Sequence, residues 1–426
     1  MIDYGILFSM LITNVGLLYW ACSRIRDNYK KIMLIMATIG IFVYSGLGIS
    51  TGFTDDKFVY DYLVFSNLFI ASFFLWDYLG VRVPVGRISS SSLYYMLINN
   101  KWFLNISLLM YFLTFLVFVL YPVLRLEDLY LFYKNISLKL VFENRSISRM
   151  DTVLYTATVL RVILLPFFMI KLQSLRQQSK RGSFFLISIL WVYLTTVCNM
   201  YIGRYELIIF ALFIYMGSKK HIKLRMSEVF IGALVVILSV PALVYYQFYR
   251  LGADIPDMSY SEVFMILAQI EFSFPQYYYH AISLSESYSI INYLLWLFTL
   301  IIPSAIFENK ANYALSINDL FSTHETGISI GDQGYNILLT GLLGEGFIIY
   351  GDSFFWLHAI FLSFALVIFA NTIRQIKELD TMYLYMVALS ASIARGGTQG
   401  YISIMVNAFL GYAVFRYVLG RLKNNY

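Results

Sequence analysis

The feature that most restricts the fold is a recurrence of apolar runs, each near the roughly 20 residues a helix needs to span a bilayer. They lie at about 4–22, 32–50, 58–76, 102–121, 152–171, 183–201, 205–217, 229–248, 353–372, 381–395 and 400–419. In hydrocarbon every backbone N–H and C=O must be satisfied within the chain, so only helices and closed barrels cross. A barrel would show ~10-residue alternating segments, and these runs do not alternate. The expectation is an all-α polytopic membrane protein with about 11 transmembrane helices. Charge is correspondingly sparse, at 13% of residues, against about a quarter in soluble domains. The net charge of +6 is what basic cytoplasmic loops produce, so no nucleic-acid partner is expected.

Orientation follows from Lys and Arg, which are retained on the cytoplasmic side. With the N-terminus outside, the loops that fall inside carry Arg24, Lys30, Arg82, Lys171, Lys180, Lys219, Arg374 and Arg421 among others. Inner segments then hold basic residues about twice as often as outer ones, which predicts N-out and C-in. Met1-Ile2-Asp3-Tyr4 has no basic leader, so the first run is expected to stay as a helix and not be cleaved. No repeat or low-complexity linker divides residues 1–426, which reads as one integral membrane domain.

Residues 249–352 are the one long interval that does not fit a span with short flanks, and are expected to form a large periplasmic loop. The interval holds the aromatic run Phe272-Ser273-Phe274-Pro275-Gln276-Tyr277-Tyr278-Tyr279-His280 and the polar patch from Asn318 to Gly327. Long stretches without regular structure are functional or disordered, and this one is too aromatic for disorder. The apolar piece Ile290–Ile302 would reach only ~20 Å as a helix, so it reads as re-entrant or interfacial, ended by Pro303. Ile337–Tyr350, interrupted by Gly341, Gly344 and Gly346, reads the same way. Irregular backbone at membrane depth implies a cavity.

Within this frame Arg204, Arg250 and Arg395 map to the outer face, where positive charge is normally depleted. Arg161 falls in mid-span, where an ionisable residue is functional by default. Arginines at helix ends also snorkel to headgroups without further purpose. Grouped, these four suggest a cationic pocket for a diphosphate, which guanidinium grips bidentately. His324 is the histidine in a polar setting within the loop; a neutral imidazole there could take a proton from a sugar hydroxyl. The ordinary alternative is an exposed structural histidine. Glu325 would orient it or hold a sugar, and Glu345 is a further carboxylate for substrate. Tyr277 and Tyr278 offer aromatic faces to sugar rings, or form an interfacial belt. No spacing resembles a divalent-cation site, so no metal is expected.

Several of these stretches resemble one family. Gly203-Arg204 opens a span, and Ile302-Pro303-Ser304 is followed by Ala311-Asn312-Tyr313 and then His324-Glu325-Thr326-Gly327. This order, with about eleven spans and a late periplasmic loop, resembles the bacterial O-antigen (oligosaccharide repeat-unit) polymerases of the Wzy class, including the enterobacterial common antigen polymerase. The resemblance implies a GT-C-like glycosyltransferase in the bacterial inner membrane, polymerising undecaprenyl-diphosphate-linked oligosaccharides at the periplasmic face. His324 and Glu325 would be catalytic, with Arg204, Arg250 and Arg395 on the lipid diphosphate. It implies no cofactor, membrane lipid as surroundings, and a chain-length regulator and a flippase as candidate partners. An O-antigen ligase-like glycosyltransferase and a lipid-linked oligosaccharide flippase stand as alternatives. A two-repeat transporter shows broken helices at matching positions in both halves, whereas the breaks here concentrate between 288 and 350.

Overall fold

The computed structural model describes residues 4–38, 56–84, 99–120, 149–198, 204–218, 259, 261–263, 278–286, 288–299, 316–328, 338–393 and 397–424. Among these residues all regular structure is helical, with no strand. In chain order the helices are α1 (Tyr4–Arg24), α2 (beginning at 28 and described to 38), α3 (Asp56–Leu79), α4 (Lys101–Leu120), α5 (Arg149–Gln177), α6 (Arg181–Cys198) and α7 (Arg204–Ser218). There follow α8 (Tyr278–Ser283), α9 (Ile290–Thr299), α10 (Ile317–Thr326), α11 (Gly341–Tyr350), α12 (Leu357–Arg374), α13 (Asp380–Leu389) and α14 (Thr398–Asn424). The expected span at 229–248 lies outside the described residues.

Helix starts are set by short polar side chains, as capping requires. The Asp27 carboxylate accepts from the Tyr29 N–H (3.0 Å) at the head of α2, and Asn100 Oδ1 accepts from the Phe103 N–H (3.0 Å) at that of α4. Proline in a helix interior costs about 3 kcal/mol. Yet α5 runs through Pro166, held between α4, α6, α13 and α14. Its centre is aromatic: the Phe168 ring stacks on Tyr111 at 4.5 Å, and Trp191 Nε1 donates to the Tyr111 hydroxyl (2.8 Å).

Two of the described helical segments, Val59–Leu79 of α3 and Leu357–Arg374 of α12, are long and apolar enough to cross a membrane. They pack on each other, and Ser72 and Ser363 share a hydroxyl hydrogen bond of 2.7 Å between them. A polar pair of this kind ties helices together where hydrocarbon gives no hydrophobic drive. One end of this pair is stitched by charge. Arg374 and Tyr383 both donate to Asp27, and Lys30 pairs with Asp77 and Asn371. Elsewhere α1 leaves Phe8, Ile12, Val15 and Tyr19 exposed, and α6 leaves Phe185, Leu186 and Ile189 exposed. Contiguous apolar surface on this scale marks a membrane or an interface in a soluble-facing protein.

The interval 249–352 carries its two short apolar pieces as helices, α9 and α11, and α8 and α10 as two further helices that the sequence reading did not place. Its polar patch is the amphipathic helix α10, whose Ile317 and Phe321 are fully buried; each such side chain contributes about 1.5–3 kcal/mol. Ser316 caps the helix through the Asp319 N–H, and Gly327 closes it at φ 68° in the left-handed region, where glycine carries no Cβ penalty. The glycines of α11 do not interrupt it. A Cβ at Gly344 would meet Thr340 Cβ at 2.8 Å, and one at Gly346 would meet the Phe355 carbonyl at 2.8 Å, so they admit close neighbours. The helix is buried from Gly341 to Ile349. α9 has ten residues, about 15 Å of helix at 1.5 Å per residue.

Candidate active site

At its C-terminal turn α10 presents His324 and Glu325, and α8 brings His280 alongside. Glu325 stands between the two rings: His280 Nδ1 is 2.9 Å from its Oε2 and His324 Nδ1 is 3.2 Å from its Oε1. The carboxylate is 11% exposed, the imidazoles 56% and 45%, so a sheltered anion carries two rings that reach solvent. An ionised carboxylate only accepts hydrogen bonds. Each ring therefore carries its hydrogen on Nδ1 and, when neutral, its lone pair on Nε2. That is the arrangement a general base needs: a third group fixes the tautomer, and the ring itself is about half exposed.

The platform under α10 is a buried polar network. Gln399 Oε1 accepts from the Ile317 N–H (2.7 Å), the Leu338 N–H donates to Ser322 Oγ (2.7 Å), and the Thr340 N–H donates to Asn318 Oδ1 (3.2 Å). Gln399 belongs to the first turn of α14, which is held by Glu345 of α11. The Glu345 carboxylate accepts from the Thr398 N–H (2.7 Å), Thr398 Oγ1 (2.6 Å), the Gln399 N–H (3.3 Å) and His358 Nε2 (3.0 Å). Glu345, His358 and Thr398 are fully buried. A carboxylate on exposed N–H groups at a helix N-terminus is stabilised by hydrogen bonds and by the helix dipole together. Tyr293 bonds Thr398 Oγ1 at 2.7 Å, and Gln399 Nε2 reaches the Tyr288 hydroxyl at 3.4 Å. Burial pushes the Tyr288 phenol well above its ordinary range, Gln399 opposing and Glu345 adding to the shift; Tyr288 therefore keeps its proton at neutral pH.

The residues singled out in sequence thus separate. His324 and Glu325 come together, joined by His280, which no local pattern had marked. Glu345 sits in the buried network beneath, its oxygens engaged by α14 and His358, and not on the exposed face of the loop. Arg161 is buried in α5 with its guanidinium 4.1 Å from the centre of the Phe115 ring of α4, a cation–π contact. Arg204 and Tyr278 open α7 and α8, but their side chains lie outside the described residues, as do Arg250, Arg395 and Tyr277 entirely. His358 and Thr398 were not assigned a role in sequence; the signal for His358 was an ionisable residue inside an apolar run, and Thr398 carried none. Among the described residues no group of three or more His, Cys, Asp or Glu side chains could hold a metal ion. Comparison with family models, curated proteins and solved structures finds no match to this chain.

Proposed function

We propose that this chain is a membrane glycosyltransferase that joins undecaprenyl-diphosphate-linked oligosaccharide repeat units into O-antigen or a related surface polysaccharide. The observation that carries the proposal is an outward-facing imidazole, fixed by a sheltered carboxylate, in the late aromatic interval of a strongly apolar chain. It coincides with the His324-Glu325 stretch that resembles the repeat-unit polymerases. The exposed apolar faces of α1 and α6, and the lengths of α3 and α12, support a place in the bilayer. We assign about eleven spans in a GT-C-like arrangement, N-out and C-in, with residues 249–352 at the periplasmic face of the bacterial inner membrane.

In the proposed reaction the acceptor hydroxyl of one lipid-linked unit gives its proton to His324 Nε2. Its oxygen bonds to the anomeric carbon of the donor sugar as the bond from that carbon to the phosphate oxygen breaks. The electron pair leaves with the lipid diphosphate. Arg204, Arg250 and Arg395 offset the charge that grows there, the electrostatic contribution that is usually the largest in such catalysis. Arg161, Tyr277 and Tyr278 are assigned to substrate binding on the same footing, and Glu345 to holding the platform. No nucleotide, cofactor or metal is assigned a part, because the sugar–diphosphate bond is already activated. A chain-length regulator and a flippase remain the proposed partners.

Deleting the gene in its host tests the function directly. Loss of the polymer ladder with a single repeat unit left on its anchor is the expected result; loss of all surface sugar would point to a ligase or flippase instead. Orientation has its own test. A cysteine at Thr326, which is exposed at the end of α10, should react with an impermeant thiol reagent in intact spheroplasts. One at Gln178, exposed between α5 and α6, should react only after lysis, and the reverse pattern would overturn N-out/C-in. For the arginines, activity should fall in the order Arg, Lys, Ala at positions 204, 250 and 395, because Lys keeps charge but loses the bidentate fork. Full loss should cost on the order of 2–4 kcal/mol, roughly 30- to 1,000-fold in rate. Equal activity of all three residues at each position would remove the diphosphate clamp.

A further inference from the structure

We infer that His280 is a positioning residue for the same site: its Nδ1–H holds Glu325 so that the other carboxylate oxygen stays aligned on His324. This rests on the reading of His324 as the base. The geometry is asymmetric in a way that favours it. The His280 bond to Glu325 is the shorter, 2.9 Å against 3.2 Å, and it joins residues 45 positions apart on separate helices. The His324–Glu325 bond joins chain neighbours, and on a helix adjacent side chains do not naturally face each other. Glu325 left to itself would be free to turn from His324 toward water. A donor arriving from α8 removes that freedom by taking one oxygen and leaving the other toward the ring of His324. The same contact couples α8 to α10, so the end of the aromatic run and the base are set by one carboxylate.

A group that acts through a hydrogen-bonded ligand typically changes activity 10- to 100-fold when removed. His280→Ala should therefore lower kcat by about that factor with KM nearly unchanged, since the substrate-holding groups are untouched. His280→Asn places an amide N–H near where Nδ1 stood and should recover most of the loss. His280→Gln reaches instead toward the former Nε2 and should stay as low as Ala. In a Glu325→Ala background, His280→Ala should add no further loss, because its partner is already gone. Purified full-length protein with lipid-linked repeat units is the assay, with thermal unfolding in detergent to show that each variant is folded. Asn as low as Ala in a folded protein, or fully additive losses in the double variant, would overturn the inference while leaving His324 in place. His324→Gln, run alongside, separates the two failures: normal activity there removes the base itself, and the role of His280 with it. Should His280→Ala not fold, the comparison of His280→Asn with His280→Gln still decides.

Discussion

On the proposed polymerase reading, replacing His324 by Gln should lower the rate of repeat-unit joining ~100- to 10,000-fold, the range a positioned general base contributes. The substitution is chosen because it preserves much else. Glutamine is close to histidine in length, places its amide near where Nε2 stood, and leaves the buried side of α10, where Ile317 and Phe321 sit, untouched. What it lacks is a nitrogen lone pair able to take a proton near neutral pH. His324→Ala should therefore be no worse than Gln, whereas a packing role would separate the two. Glu325→Gln attacks the same function from behind. A side-chain amide has one oxygen for two Nδ1–H donors, and its NH₂ group faces one ring with the wrong polarity, so one imidazole loses its fixed tautomer. Its effect should fall between those of His280→Ala and His324→Gln. The measurement is initial rate with purified enzyme, supported by the surface polymer ladder in a complemented deletion strain. Near-normal polymer from His324→Gln would remove the histidine from the chemistry. His280 and Glu325 would then be the remaining candidate bases, because Glu345 is sealed among its donors.

How much of this was legible in the chain can be followed through particular residues. Apolar runs foretold where α1, α3, α4, α5, α6, α7, α12, α13 and α14 lie, because burial or lipid contact is written into every residue of such a helix. The start and stop signals of α10 were also present, as Ser316 three residues before Asp319 and as Gly327. They were outweighed by the polarity of the stretch between them, whose apolar stripe is only Ile317, Leu320 and Phe321. Pairings across the chain left no local trace. His280 meets Glu325 across 45 positions and Glu345 meets Thr398 across 53, and neither partner's neighbours repeat or alternate in a way that announces it. Glu345 was assigned to substrate because charge is scarce in the interval, and a carboxylate there must be solvated or paired. Gly346 instead lets α11 approach the Phe355 carbonyl, and the buried carboxylate meets donors at the head of α14 and on His358.

That inward carboxylate carries the largest expected effect on stability. Gly397→Ala should destabilise the protein by about 4 kcal/mol or more, as the sum of two costs. Gly397 has φ +76°, and a non-glycine residue held in the left-handed region costs ~1–3 kcal/mol. Its Cβ would also stand 2.2 Å from Glu345 Oε1 and 2.6 Å from Cδ, closer than any real contact. The carboxylate would have to leave, and with it the acceptor for the Thr398 and Gln399 N–H groups and for His358. Each buried donor left without a partner costs ~1–3 kcal/mol. Gly80 is the natural control: it has φ +64° with nothing within 4 Å of its would-be Cβ, so Gly80→Ala should show the backbone cost alone. Glu345→Gln should fall between, because the amide keeps the shape but offers one accepting oxygen where the carboxylate has two. Thermal unfolding in detergent, or protease resistance of the membrane-embedded protein, gives the order. Because the Gln399 side chain caps Ile317, Gly397→Ala should also loosen α10 and lower activity even at temperatures where the protein remains folded. If Gly397→Ala proves no more costly than Gly80→Ala, the Glu345 carboxylate does not sit against that turn.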